Sequence, residues 1–147
     1  MNLEFILPIT RTPTANPETI AQFLAPANQR IALKRIEYIP KGSTGESAPF
    51  VIEIVIQDGA GVSSPATGDL QKKTPYAAEA IQTTALKTFT GEPSTNTRID
   101  AFGSHRQAPL SWEPEGGKIV VAGGTRLGIR HVGATGVEAD YVFHMEE

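Results

Sequence analysis

The chain has 147 residues, the length of one ordinary domain, and carries 13 basic against 16 acidic residues for a net charge of −3. It has no cysteine, which excludes disulfides and thiolate metal sites, and the balanced charge gives no basic face for nucleic acid. No apolar run approaches the roughly 18 residues of a membrane-spanning helix, and the apolar stretch 1–9 lacks the basic flank and cleavage site of a signal peptide, so folding in a cytoplasm without a membrane partner is expected.

Glycine (14) and proline (11) together exceed their usual share and are spread along the whole chain, which signals many turns between short elements. Residues 1–18 read as an extended N-terminal arm. Leu3, Phe5 and Leu7 alternate as in a short strand, and Pro8, Pro13 and Pro17 then bar a helix or a central strand. Such an arm would lie on a neighbouring chain, with Leu3, Phe5 and Leu7 filling its pockets; a loosely ordered terminus is the alternative. Residues 19–24 are ambiguous. Asn16 as a cap, Pro17 at a first helical position and the spacing of Ile20, Phe23 and Leu24 suit a helix, but Pro26 arrives within about two turns, and a strand over 19–25 fits equally well.

Residues 30–39 form a strand. Ile31 and Leu33 share one parity, Ile36 and Tyr38 the other, which predicts a bulge near Lys34 or Arg35; a strand buried on both faces is the alternative. Residues 50–56 are the most apolar strand, with Phe50, Ile52, Ile54 and Ile56 on one face and Glu53 and Gln57 on the other. This strand is expected to pair with 30–39 as a hairpin across a turn at 40–45. Residues 58–75 form a long loop rich in Gly, Ser, Pro and Thr, a second candidate contact with other chains, and Lys72 and Lys73 lie in it as solvated cations.

Further strands are predicted over 81–89, 99–102, 118–121, 126–131 and 139–145, punctuated by Gly116-Gly117, Gly123-Gly124, Gly133 and Gly136. In the last strand Ala139, Tyr141, Phe143 and Met145 share a face. About eight antiparallel strands with unequal loops predict an all-β jelly-roll β-sandwich over residues 19–147, preceded by the arm.

Chemistry is harder to find. His105, His131 and His144 match no zinc spacing. A trio of His131, Asp140 and Ser111 can be imagined, but solvated or interfacial strand faces are the better reading for these histidines. The run from Gly123 to Gly128 lacks the Lys-Ser/Thr ending of a phosphate loop and leads into a strand, so a tight turn explains it. Gly128 inside that strand marks a bulge or a close backbone approach. Glu113 with Glu115, and Glu146 with Glu147, are the only close carboxylate pairs considered for glycoside chemistry. Trp112, with Tyr38 and Tyr76, could stack on a sugar, but packing in a core or interface accounts for it better. No catalytic residue, cofactor or metal is expected.

The second half resembles small structural proteins of tailed bacteriophages and prophages. The resemblance rests on Trp112-Glu113-Pro114, Ile119-Val120-Val121, the run Gly123-Gly124-Thr125-Arg126-Leu127-Gly128-Ile129-Arg130, Tyr141-Val142-Phe143 and the closing Glu146-Glu147. Earlier, residues 23–28 followed by Arg30-Ile31 are similar to that family's first core strand and turn, residues 49–56 to its next long strand, and Gly91-Glu92-Pro93 to a mid-chain turn. Two departures are Ala122 where a proline is expected, and His144-Met145 before the acidic pair. The resemblance implies a jelly-roll protein of the virion, a decoration or cement protein on the outer head surface. It implies a homotrimer at three-fold positions and the major capsid protein as partner, and it favours a strand over 19–25. A neck, tail or head-fibre-base protein, or a carbohydrate-binding adhesion module of the virion, are the alternatives.

Overall fold

The computed structural model describes residues 2–41, 49–105 and 108–147. Among them run β1 (Glu4–Arg11), β2 (Glu18–Leu24), β3 (Ile31–Pro40), β4 (Pro49–Gln57), β5 (Val62–Pro65), β6 (Gln71–Lys72), β7 (Thr84–Gly91), β8 (Asn96–His105), β9 (Leu110–Trp112), β10 (Ile119–Val121), β11 (Arg126–Gly133) and β12 (Ala139–Glu146), with one 3-10 turn at Thr67–Asp69.

Two antiparallel sheets result. The first has the order β10-β3-β12-β1-β6, with β9 also pairing with β3; the second has the order β5-β7-β2-β11-β4-β8. The topology follows from four nested pairings: β1 with β12, β2 with β11, β3 with β10, and β4 with β8. A long double-stranded ribbon rolled up in this way is a jelly roll. Pairing of β3 with β12 and of β4 with β11 closes the roll within each sheet. The segment between β4 and β8 adds β6 beside β1, and β7 and β5 beside β2.

Among the described residues, 2–18 do not form an arm. β1 pairs with β12 over eight consecutive positions, from Glu4↔Glu146 to Arg11↔Ala139. Phe5 and Leu7 are wholly buried in the core. The prolines misdirect the reading for a local reason. β6 meets β1 only at Phe5 and Ile6, so at Pro8 one side of β1 is an open edge, where a strand proline is tolerated. Pro13 and Pro17 follow the end of the strand.

Residues 18–24 form a strand, not a helix. Ile129 faces Ala21 and Arg130 faces Thr19, so Ile20 is an extra residue in β2. A bulge there flips the parity and buries Ile20 with Ala21 and Phe23, which imitates helical spacing in sequence. The bulge expected near Lys34 is present: Arg35 faces His144 and Leu33 faces Met145, leaving Lys34 between them.

The predicted hairpin of 30–39 with 50–56 does not form. β3 belongs to the first sheet and β4 to the second, so the connection crosses between layers. The turn expected at 40–45 lies mostly outside the described residues. The stretch 58–75 is not one loop, since it contains β5, the 3-10 turn and β6.

The core lies between the layers. Phe143 of the first sheet meets Phe23 of the second edge-on at 5.8 Å, and Tyr38 lies 5.4 Å from Tyr141 and 4.9 Å from Phe50. Side chains of this size contribute about 1.5–3 kcal/mol each when fully buried. With β1 inside the roll, Phe5, Leu7 and Ile9 add to this core.

Candidate functional site

Strand parity sends half of the side chains outward, and each sheet's outer face carries a polar cluster. On the second sheet, Gln22 of β2 stands opposite Gly128 of β11, the side chain of Gln57 of β4 reaches over that glycine, and both glutamines are buried. Gln22 Nε2 donates to Gln57 Oε1 and to the Gly59 carbonyl, both at 2.7 Å. Gln57 Nε2 donates to Thr19 Oγ1 at 2.9 Å and Asn96 Oδ1 at 2.8 Å, and Arg126 Nη1 donates to Gln22 Oε1 at 2.9 Å. Each amide thus makes three bonds to protein, with both its N–H groups used, which fits a cross-link rather than a ligand site. A Cβ on Gly128 would sit 2.2 Å from Gln57 Oε1, so the glycine is required by the amide lying over it.

A second pair, half-buried Arg11 with buried Glu18, closes the end of β1. Arg11 grips Glu18 with two bonds of 2.8 and 2.9 Å, and the backbone N–H of Thr14 adds a third at 3.2 Å. Burial pushes the Glu18 carboxyl up, but these donors outweigh it and hold the group below its ordinary range.

The outer face of the first sheet is different, because it is lined by charges around a cleft. Glu4 comes from β1, His144 and Glu146 from β12, Lys34, Arg35 and Glu37 from β3, and Lys73 follows β6. The Lys34 ammonium bonds the Glu4 carboxylate and lies 3.5 Å from Glu146. Lys118 approaches Glu146 at 3.0 Å, Asn2 donates to it at 2.5 Å, and Lys73 lies 3.9 Å from Glu4. Arg35 pairs with Glu37 at 3.0 Å. His144 Nε2 sits between Arg35 Nη2 at 3.3 Å and Glu37 Oε1 at 3.4 Å.

These contacts set the protonation states. The bond from Lys34 holds Glu4 below the usual carboxylate range. Burial raises Glu146, but Lys118 and Asn2 reverse the sign. Burial lowers the pKa of His144, and the positive charges of Arg35 and Lys73 lower it further against the pull of Glu37. These effects favour the neutral ring. Beside it lies a cleft of about 260 Å³ lined by Glu4, Lys34, Arg35, Lys73, Glu113 and His144.

The contact residues proposed from sequence are scattered by this fold. Phe5 and Leu7 face their own core and cannot fill pockets on a neighbour. Leu3 is half-buried and exchanges backbone bonds of 2.9 Å with Glu147. Lys72 belongs to β6 and donates to the Ala77 carbonyl at 3.0 Å. Lys73 alone of the five joins a charged cluster at the surface.

The imagined trio does not assemble. His131 faces inward from β11, stacks on Phe50 at 4.8 Å and bonds the Ala134 carbonyl at 2.6 Å, whereas Asp140 and Ser111 belong to the other sheet. Trp112 stacks on Phe102 at 4.5 Å and so joins an edge strand of one sheet to an edge strand of the other. Among the described residues no group of three or more His, Cys, Asp or Glu is placed to hold a metal, and no helix is long and apolar enough to cross a membrane. The His144 cleft was missed in sequence because its members stand far apart in the chain. The one signal for it was the parity switch at Lys34.

No family model, curated protein or solved structure matches this chain.

Proposed function

We propose that the chain is a structural protein of a tailed-phage virion, a capsid decoration protein that binds the outer head surface as a homo-oligomer. The observation that supports this reading is the jelly roll itself, the fold that the resemblance to phage structural proteins implies. Because Phe5 and Leu7 are buried, the contact with capsid or sister copies falls to exposed groups instead. Tyr76, 96% exposed in the segment between β6 and β7, is the foremost of these, and Val62 is a second. An aromatic side chain held out on a surface segment is the residue type that anchors protein interfaces.

The test is to mix the purified chain with expanded phage heads, sediment them, and count bound copies, alongside a native mass measurement. Saturation at hundreds of copies with an oligomeric free protein is the expected result. Binding confined to one vertex or to tails moves the protein to the neck or tail. A monomer that never sediments with heads overturns the proposal.

A further inference from the structure

Residues 73–83 connect β6 to β7 and carry Tyr76, whose side chain is almost wholly exposed. The ring stands in a hydrogen-bonded turn. The Ala77 N–H donates to the Thr74 carbonyl at 3.0 Å, and Pro75 precedes Tyr76 with its φ already set by the pyrrolidine ring. The residues that follow Ala77 are exposed as well, and Ala78 and Ala80 are too small to flank an aromatic ring. Tyr76 therefore projects as a knob, and a knob of this kind needs a recess in the surface it meets.

The turn is tied to the body of the protein on both sides. At its entry the Lys73 N–H donates to the Glu4 carbonyl at 3.0 Å, and the Lys72 ammonium reaches across the turn to the Ala77 carbonyl, also at 3.0 Å. Lys72 is itself fixed by the pairing of β6 with β1, where it faces Phe5. At the exit the Glu147 carboxylate accepts from the Gln82 N–H at 2.7 Å, the Thr83 N–H at 2.8 Å and the Thr83 hydroxyl at 2.5 Å. Backbone bonds of 2.9 Å in both directions with Leu3 hold Glu147 in turn. Ile81, just before this exit, packs against the core. Hydrogen bonds to an ionised group are roughly twice as strong as neutral ones. Here a cation and an anion both direct theirs at the main chain of one surface segment.

We propose that residues 73–83 form a clamped turn that presents Tyr76 ready-made to a recess in the partner surface, with Lys72 and Glu147 as its positioning residues. The proposal rests on the reading of Tyr76 as a contact with the outer head surface. A tyrosine brings a large rigid contact area with few rotors to order, and a fixed turn removes the cost of ordering the backbone on binding. Lys72 acts through the carbonyl it bonds and Glu147 through the N–H groups it accepts from, so neither needs to touch the partner.

Backbone 15N relaxation on the full, uniformly labelled chain at neutral pH tests the clamp. The Tyr76 and Ala77 N–H groups of the parent chain should match the strands, with order parameters of about 0.85, and Glu147→Ala or Lys72→Met should lower them below about 0.6 while β1 and β12 stay rigid. Lys72→Met keeps the aliphatic stem and loses the donor, so it serves where Glu147→Ala fails to fold. Both variants retain Tyr76, and each should weaken sedimentation with expanded phage heads about tenfold at an unchanged number of bound copies at saturation. A mobile Tyr76 in the parent chain overturns the proposal, and so does head binding as tight in the loosened variants as in the parent. If the parent chain does not sediment with heads at all, the decoration reading falls, while loss of order in the variants still upholds the clamp.

Discussion

Single residues of this protein are explained by what lies against them on an outer face. Gly128 has no side chain because the Gln57 amide occupies that space. Gly128→Ala should displace Gln57 from Thr19, Asn96 and Gln22, leaving buried amide groups unpaired. The expected loss is about 1–3 kcal/mol, read as a lower midpoint in urea with an unchanged slope. His144 sets a pH dependence. Its pKa in the folded chain is depressed by burial and by Arg35 and Lys73, so the unfolded chain binds the extra proton first. Stability that is present above the ordinary histidine value of about 6.5 is then lost as pH falls through that value toward the folded one. Urea unfolding at a series of pH values from neutral to mildly acidic should show this fall, and His144→Gln should flatten it. Glu4, Glu18 and Glu146, all held below their ordinary range, add a separate loss at lower pH. The sequence marked Gly128 as a site of close approach but could not name Gln57, nor bring His144 to Arg35, because these residues meet only once the strands are placed side by side.

The clearest result among the elements is the position of β1. A free arm could be removed without harm, but β1 supplies Phe5, Leu7 and Ile9 to the core and a full ladder to β12. Deleting residues 2–11 should therefore abolish cooperative thermal unfolding, and Leu7→Ala should cost about 2–5 kcal/mol. An unchanged melting temperature in either variant would restore the arm. At the far edge of the second sheet, β8 is open along its outer side, yet Ile99 is bulged out of register with β4. The neighbouring Asp100 side chain caps the Ala101 N–H at 2.8 Å. Both features blunt an edge against pairing with another chain. Most strand positions were legible in the sequence, since alternation is a local signal; the 145 face of β12 and the bulge of β3 were read from parity alone. The helix-like spacing of Ile20 and Phe23 misleads for the same reason, as a bulge also shifts parity by one residue.

For the whole molecule, the nested pairings join the two ends of the chain, with Glu4 facing Glu146. Contacts of such long range make for slow folding, in the millisecond-to-second range typical of β-sandwiches or beyond, measurable by refolding from urea. The proposed role places function on the surface, apart from this core. Tyr76→Ala should thus leave stability within about 0.5 kcal/mol of the parent chain while reducing sedimentation with heads. A large loss of stability would show that Tyr76 serves the fold and not an interface. The sequence by itself determined that the chain is all-β and where most strands lie, and its parity flip pointed to a bulge near Lys34 or a strand buried on both faces, because the two-residue period is written locally. Only the tertiary structure decided that residues 4–11 are a core strand, that β3 and β4 part into different sheets, and that Lys34, Lys73 and His144 share one cleft. The physical reason is that a strand's own pattern tells which face is buried, whereas its partner is chosen by how the whole ribbon rolls up.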